Sequence, residues 1–372
     1  MNINNLLIKN LRNHIYSEYD FIRGINVLFG KNGVGKTTVL EAISICSISR
    51  SFVSTSDMML VNKDAKDYSV TAKYINDLDV YGQITVSYTS KTKKNITSGS
   101  NEKLLPKDII GEIPTVILSP DHKNITKSSP EFRRQFLNTI LSQSNRFYIK
   151  KLFELRKVLK NRNILLQRIK LNPKISSDIL TEWTNYFIEI CTEIIWQRKM
   201  FLEEFTPYFL ESYNIISEEK EDVSLSYQIN GINEEIETIE QLKEELKKRS
   251  EKILEAEISR GMTLFGAQKD DLKIMINGGN SRDFASQGQH KTLLIALKFA
   301  EFKYLLEAKR ETPIILLDDI FSELDIDRVS KVISLLSESS AQIFITSTET
   351  SFINSNINLD KKLIEIKVND DL

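Results

Sequence analysis

The spacing of apolar positions along this chain changes twice. Up to about Pro120 they come in short clusters or in alternation, and "DYSVTAKYI", "VYGQITVSYT" and "PTVILS" read as strands separated by the turns "NDLD" and "SKTKKN". Beyond Pro120 they recur three and four residues apart in "EFRRQFLNTILS", "YIKKLFELRKVLKNRNILLQRIK", "ILTEWTNYFIEICTEIIWQRKMFLEEF" and "EEIETIEQLKEELKKRSEKILEAEIS", segments poor in Gly and Pro that read as helices. From about Thr263 strands return in "DLKIMIN", "TPIILLDDI" and "AQIFITST". This pattern predicts an α/β core split in sequence, residues 1–120 and 263–372, with a helical lobe, 121–262, inserted between its halves. Breaks at Asn172–Lys174 and around Gly231 argue against one long coiled-coil hairpin.

Composition narrows this only a little. With 372 residues, 41% hydrophobic and 27% charged, the chain is a globular protein large enough for one big domain or two modest ones. Its two cysteines, Cys46 and Cys191, lie far apart and outside any metal-type cluster, and are expected as free thiols in a reducing compartment. No apolar run approaches the roughly 20 residues of a membrane span, and the N-terminus lacks a signal peptide's apolar core, so the expected location is cytoplasmic, with no membrane partner. The net charge of -1 conceals two blocks. Lys123 to Lys174 holds 14 Lys or Arg against Glu131 and Glu154, whereas Asp178 to Arg260 holds 20 acidic and 9 basic side chains.

Three stretches carry chemistry. "INVLFGKNGVGKTTVLEAIS", Ile25 to Ser44, joins a buried strand to a helix through a glycine-rich turn. Gly30, Lys31, Asn32, Gly33, Val34 and Gly35 would cradle phosphate with their N–H groups, the positive helix end and Thr38 would add to the cradle, Lys36 would reach the β- and γ-phosphates, and Thr37 would ligate Mg²⁺. "PIILLDDIFSELD", Pro313 to Asp325, reads as a central parallel strand ending in two carboxylates. There Asp318 would hold Mg²⁺ and Asp319 would act as general base or position water. In "SQGQ", Ser286, Gly288 and Gln289 stand before another long helix as a second anion site, which suits a triphosphate held by a second, head-to-tail subunit. Lys36, Asp319 and Ser286 are thus the expected catalytic set. The histidines, His14, His122 and His290, have no metal-type neighbours in sequence.

These motifs and their order, with "IKNLRNH", "SRSF", "LSPDHKNITKSSPEFRRQFLN", "VLKNRNILL", "KDDL", "FASQGQHKTLLIALKFAE" and "LLDDIFSELD", resemble the ABC-type ATPase heads of the SMC and DNA-repair group, and most closely the RecF family of bacterial recombination mediators. The resemblance spans nearly the whole chain. It implies an ABC/SMC-type P-loop ATPase head with a mixed sheet core, Arg12 near the nucleotide, Asn32 near the γ-phosphate, Ser286 acting in trans, and Ser322 and Asp325 in a loop crossing a dimer interface. "GAQKDDL" and His290-Lys291 depart from the family pattern, and no switch histidine follows the last strand, where Thr348 is the positional counterpart.

The resemblance also implies ATP and Mg²⁺ as cofactors, an ATP-dependent homodimer, slow DNA-stimulated ATP hydrolysis, action in recombinational repair and replication-fork maintenance at duplex and gapped or junction DNA, and the mediators RecR and RecO as partners. Two other readings stay open: a nucleotide-gated scaffold with negligible hydrolysis, and an ABC-type motor subunit not acting on DNA. For DNA, the basic block offers Arg133, Arg134, Lys150, Lys151, Arg156, Lys157, Lys160 and Arg162, with Lys91, Lys93 and Lys94 as the alternative surface.

Overall fold

The computed structural model describes residues 1–367 apart from 55, 173–176, 218–220, 322–323 and 349–359. It divides into two compact units, Met1–Lys123 with Glu211–Glu219 and Lys291–Leu372, and Asn124–Leu210 with Lys220–His290.

The first unit holds two sheets. Asn2–Leu11 (β1), His14–Asp20 (β2), Asp67–Ile75 (β4), Tyr81–Thr89 (β5), Lys93–Ser98 (β6) and Lys103–Leu104 (β7) form an antiparallel sheet in the order β2-β1-β4-β5-β6-β7. Ile25–Phe29 (β3), Thr115–Leu118 (β8), Ile314–Leu317 (β12), Ile343–Ser347 (β13) and Lys361–Glu365 (β14) form a parallel sheet in the order β14-β3-β13-β12-β8. The helix Lys36–Ile48 (α1) contacts strands of both sheets, and every residue from Thr38 to Ile48 is buried. Enclosure on all sides leaves α1 no solvent-facing side from Thr38 onward, where the spacing of Val39, Leu40, Ile43 and Ile48 had marked only one buried face; Glu41, Ser44 and Ser47 are buried with the apolar residues. Ile3, Leu6 and Ile8 from β1, Val70 from β4 and Leu316 from β12 share its core. A short helix, Pro106–Ile109 (α2), precedes β8.

The second unit holds Asn124–Lys127 (α3), Pro130–Ser144 (α4), Arg146–Leu171 (α5), most of Ser177–Ile216 (α6), Ile239–Arg260 (α7) and Ser281–Phe284 (α8) with a small antiparallel sheet that α4 and α8 contact. That sheet joins Val223–Gln228 (β9), Asp271–Ile276 (β10) and Gly279–Asn280 (β11) in the order β11-β10-β9. Here the structure departs from the expected division. β10 pairs along its length with β9, from Asp271↔Gln228 to Ile276↔Val223, so "DLKIMIN" belongs to the inserted lobe, and the core resumes at Lys291 inside Gln287–Lys309 (α9). A helix at Ile326–Glu338 (α10) completes the first unit.

Candidate nucleotide-binding site

The parallel sheet places the ends of β3, β13 and β12 side by side, with one strand, β13, between the phosphate loop and the two aspartates. Gly35 caps α1 at φ 104 without a side-chain hydrogen bond, leaving the first-turn N–H groups to face outward from the helix end. A Cβ at Gly35 would lie 2.5 Å from His14 Nε2, so both backbone angle and space require glycine there. The turn between β1 and β2 holds the loop from behind: Asn13 Nδ2 donates to the Gly33 carbonyl (2.7 Å), and His14 Nε2 lies 3.1 Å from the Gly35 carbonyl. Carbonyl and following N–H point opposite ways across a trans peptide, so these two restraints direct the Val34 and Lys36 N–H groups away from the β1–β2 turn.

Lys36 Nζ donates to the carbonyls of Gly30 (2.8 Å) and Lys31 (2.9 Å), which stretches the side chain back along the loop. Burial lowers its pKa against the opposing pull of Asp319 and Asp318. Lys31, Asn32 and Gly33 form the exposed tip, whereas the side chains of Val34 and Thr38 are buried, so those two offer the cradle main-chain groups.

Asp318, at the end of β12, is the polar centre. Its Oδ1 accepts from the Thr37 hydroxyl (2.8 Å) and from the Thr346 hydroxyl at the end of β13 (2.9 Å), and Thr346 in turn accepts the Asp319 N–H (2.9 Å). Burial raises the Asp318 pKa, with the two hydroxyls acting against it. A threonine hydroxyl and a carboxylate oxygen this close are hard donors that fit Mg²⁺. Asp319 is exposed and left-handed, at φ 48, a conformation aspartate tolerates better than most residues. Thr348, the positional counterpart of a switch histidine, is exposed just past the end of β13, and the buried Thr346, two residues earlier within the strand, makes the contact to Asp318.

Arg12 is held by Glu41, one turn beyond Thr37 on α1, through an ion pair that includes an Nη2···Oε1 bond of 2.8 Å. Glu41 also accepts from the Ser51 hydroxyl. The signal for Glu41 was present in "TTVLEAISICSI": a lone carboxylate in a helix buried all round needs a cation.

Ser286, Gly288 and Gln289 lie in the second unit. Ser286 N–H donates to Gln289 Oε1 (2.6 Å) and Ser286 Oγ accepts from the Gln289 N–H (3.2 Å), a reciprocal cap at the start of α9 that leaves Ser286 exposed. Asp325 caps α10 by accepting the Arg328 N–H (3.0 Å), and Ser322 lies outside the described residues.

The basic block needs correcting. Arg133 pairs with Asp271 (2.7 and 2.9 Å) and is buried. Arg162 is completely buried, paired with Glu257 (2.6 Å), bonded to Thr263 (2.8 Å) and placed against the rings of Phe187 and Phe265. Arg134 donates to the Asp270 carbonyl (2.8 Å), and Lys151 is paired with Glu193 (2.7 Å) and Glu154 (3.3 Å). Arg133 and Arg162 therefore leave the DNA-contact set, because carboxylates distant in sequence fold against them. Lys150, Arg156, Lys157 and Lys160 stay exposed on α5. Of the alternative surface, Lys94 is engaged by Asp57 (2.9 Å) and the Ser49 carbonyl (2.7 Å).

Among the described residues no helix is long and apolar enough to cross a membrane. The family profile described as RecF/RecN/SMC N terminal domain matches residues 2–371. The DNA replication and repair protein RecF of Chloroherpeton thalassium is 36% identical over 354 residues, covering 94% of this chain and 95% of its own. The RecF of Oenococcus oeni is 33% identical over 371 residues, covering 99% and 98%. Among solved structures, the recombination mediator protein RecF with ATP, described in the RecFOR pathway, superposes with a TM-score of 0.90 at 31% identity, over 98% of this chain and 95% of that one. An Smc head bound to the C-winged helix domain of ScpA shares the fold, at TM-score 0.55 and 16% identity over 98% and 94% of the two chains. With the profile matched over nearly its whole length, relatives named RecF at up to 36% identity and the ATP-bound RecF fold at a TM-score of 0.90, the chain belongs to the RecF family of SMC-related ABC-type ATPase heads.

Proposed function

We propose that this chain is an ATP-dependent DNA-binding protein of recombinational repair and replication-fork maintenance, a slow ATPase whose two copies close head to tail around Mg-ATP. The observation that carries this is the convergence of Thr37 and Thr346 on Asp318 beside the phosphate loop, which builds a site for a metal-bound triphosphate. Lys36 gives up the loop carbonyls for β- and γ-phosphate oxygens, and the N–H groups of residues 33–38 complete the cradle. Thr37 and Asp318 would hold Mg²⁺, which would supply neutralisation of charge on the phosphates. Asp319, at the exposed strand end, positions the attacking water. Ser286, capped yet exposed, supplies the anion site to the nucleotide of the opposite subunit, so that hydrolysis waits on dimerisation and ends it.

DNA contact falls to the exposed cations of α5, through phosphates and without base-edge reading. Gapped or junction DNA and the mediators RecR and RecO are the partners this reading assigns. A nucleotide-gated scaffold is the second reading, favoured by the shorter reach of Asp319 where ABC-type enzymes usually carry glutamate. Two variants separate them. Lys36→Ala removes ATP binding on both readings, whereas Asp319→Asn retains ATP and lengthens the lifetime of the ATP-bound dimer only if hydrolysis is the release step. Phosphate release below detection in the wild type, with or without DNA, would leave the scaffold.

A further inference from the structure

β9 is an outer strand of its sheet, paired with β10 on one side only. Just beyond that ladder, and in register with it, the Asn277 N–H donates to the carbonyl of the opposite residue, Asp222. By the alternation of an antiparallel pair, Ser224, Ser226 and Gln228 then turn their main-chain groups to β10. The N–H and C=O of Leu225 and Tyr227 therefore point away from the sheet, and among the described residues no hydrogen bond reaches these four groups. Leu225 and Tyr227 line a groove of about 560 Å³ between β9, α6 and the segment 229–236. Leu202, Ile232 and Ile236 give it an apolar wall. Its cations are engaged, Lys199 by the Ile236 carbonyl and Lys273 by Asp271 (3.6 Å). Glu203, Glu234 and Glu235 line it too, are exposed, and form no ion pair among the described residues, so the charge left to the groove is negative.

An open strand edge is completed by another strand, which supplies N–H and C=O groups at the same spacing. A helix cannot do this, because its main-chain groups are bonded within it. The carboxylates then select among extended chains. Nucleic acid and acidic segments are repelled, and a second copy of β9 would bring the same carboxylates face to face. Successive side chains of an added strand point to opposite faces, so its apolar residues pack on Leu202, Ile232 and Ile236 while Lys or Arg between them reach Glu203, Glu234 and Glu235. We propose that the groove beside β9 binds an extended, basic segment of a partner protein, which joins the sheet β11-β10-β9 as a further strand. Neither the phosphate loop nor the exposed cations of α5 take part.

The test selects random peptides displayed on phage against the immobilised full chain and measures synthetic copies of the recovered sequences by fluorescence anisotropy. Recovered sequences should alternate apolar residues with Lys or Arg, and their affinity should fall as salt rises. Methylating single main-chain nitrogens of such a peptide should cost about tenfold at every second position and little at the positions between, because only alternate N–H groups face β9. The double variant Glu203→Lys, Glu235→Lys, at two exposed positions, should weaken binding by at least about tenfold with an unchanged thermal transition. If every recovered peptide binds this variant as tightly as the wild type, or tolerates methylation at all positions alike, the groove is no strand acceptor and the proposal is overturned. A wild type that recovers no peptide, or recovers acidic ones, overturns it as well.

Discussion

Replacing Thr346 with Val keeps the shape of the strand end and removes one hydroxyl. In the wild type that hydroxyl, on a residue 2% exposed, donates to Asp318 at 2.9 Å and accepts the Asp319 N–H at 2.9 Å. A hydrogen bond to a charged group contributes about 1.5–3 kcal/mol, and a buried donor left without a partner costs about 1–3 kcal/mol. Asp318 keeps the Thr37 hydroxyl, and Asp319 is exposed enough for water to reach its backbone, so the lower halves of both ranges apply and the expected loss is about 2.5–4 kcal/mol. Groups that orient a metal's ligands typically change metal affinity 10–100-fold, so Mg²⁺-dependent ATP affinity should fall by at least about tenfold. ATP binding in EDTA, which depends on Lys36 and the loop N–H groups, should be unchanged. The assay is a pair of nucleotide titrations, with Mg²⁺ and with EDTA, beside a denaturant melt. Thr348→Val, at an exposed position, is the control and should match the wild type throughout. A Thr346→Val protein whose Mg²⁺ dependence equals that of the wild type, or a Thr348→Val protein that loses it, would refute the assignment of Thr346 to the metal site.

Arg162→Ala should destabilise the second unit by about 3–5 kcal/mol, because it strands the buried Glu257 carboxylate, and should leave the salt slope of DNA binding in the folded fraction unaltered; a flattened slope would return Arg162 to the DNA surface. Asp270, buried beside Arg198, Arg134 and Tyr227, has its carboxyl pushed up to about 6 by desolvation, so the native state holds this proton over a pH range where the unfolded chain has released it. Its contribution is therefore favourable at acid pH and lost as pH rises from about 4 to about 6, and Asp270→Asn should gain on the wild type across that window by on the order of 2–3 kcal/mol in urea melts; a constant difference would refute it. Asn13→Ala frees the Gly33 carbonyl and should weaken ATP with and without Mg²⁺ alike, by several-fold in an equilibrium titration. A loss confined to the Mg²⁺ arm would mean that Asn13 does not order the loop.

What the sequence made legible was local. Glycine spacing, the apolar run before Asp318 and the serine motif before α9 each need only a few consecutive residues to state their chemistry, and all three stand on the elements their spacing predicts. What it concealed depends on residues far apart. Arg133 and Arg162 looked like part of a basic surface because Asp271 and Glu257, which neutralise them, lie 138 and 95 positions away. β10 looked like a core strand because its partner β9 is a short alternating run between helical segments, with nothing local to say where its edge would pair. Thr346 and Thr348 share composition and surroundings in "FITSTET", and only the parallel pairing of β12 with β13 decides which hydroxyl meets Asp318.

The central claim, that Ser286 serves the nucleotide of a second copy, is tested most directly by sedimentation velocity of the wild type and Ser286→Arg, each with no nucleotide and with Mg-ATP. Ser286 is exposed and caps α9 within the second unit, so the substitution adds bulk and positive charge at the helix start. The predicted result is a monomer-to-dimer shift on adding Mg-ATP in the wild type, and a monomer under both conditions in Ser286→Arg, whose ATP affinity stays within a few-fold of the wild type. A Ser286→Arg protein that dimerises with Mg-ATP as the wild type does would contradict the claim.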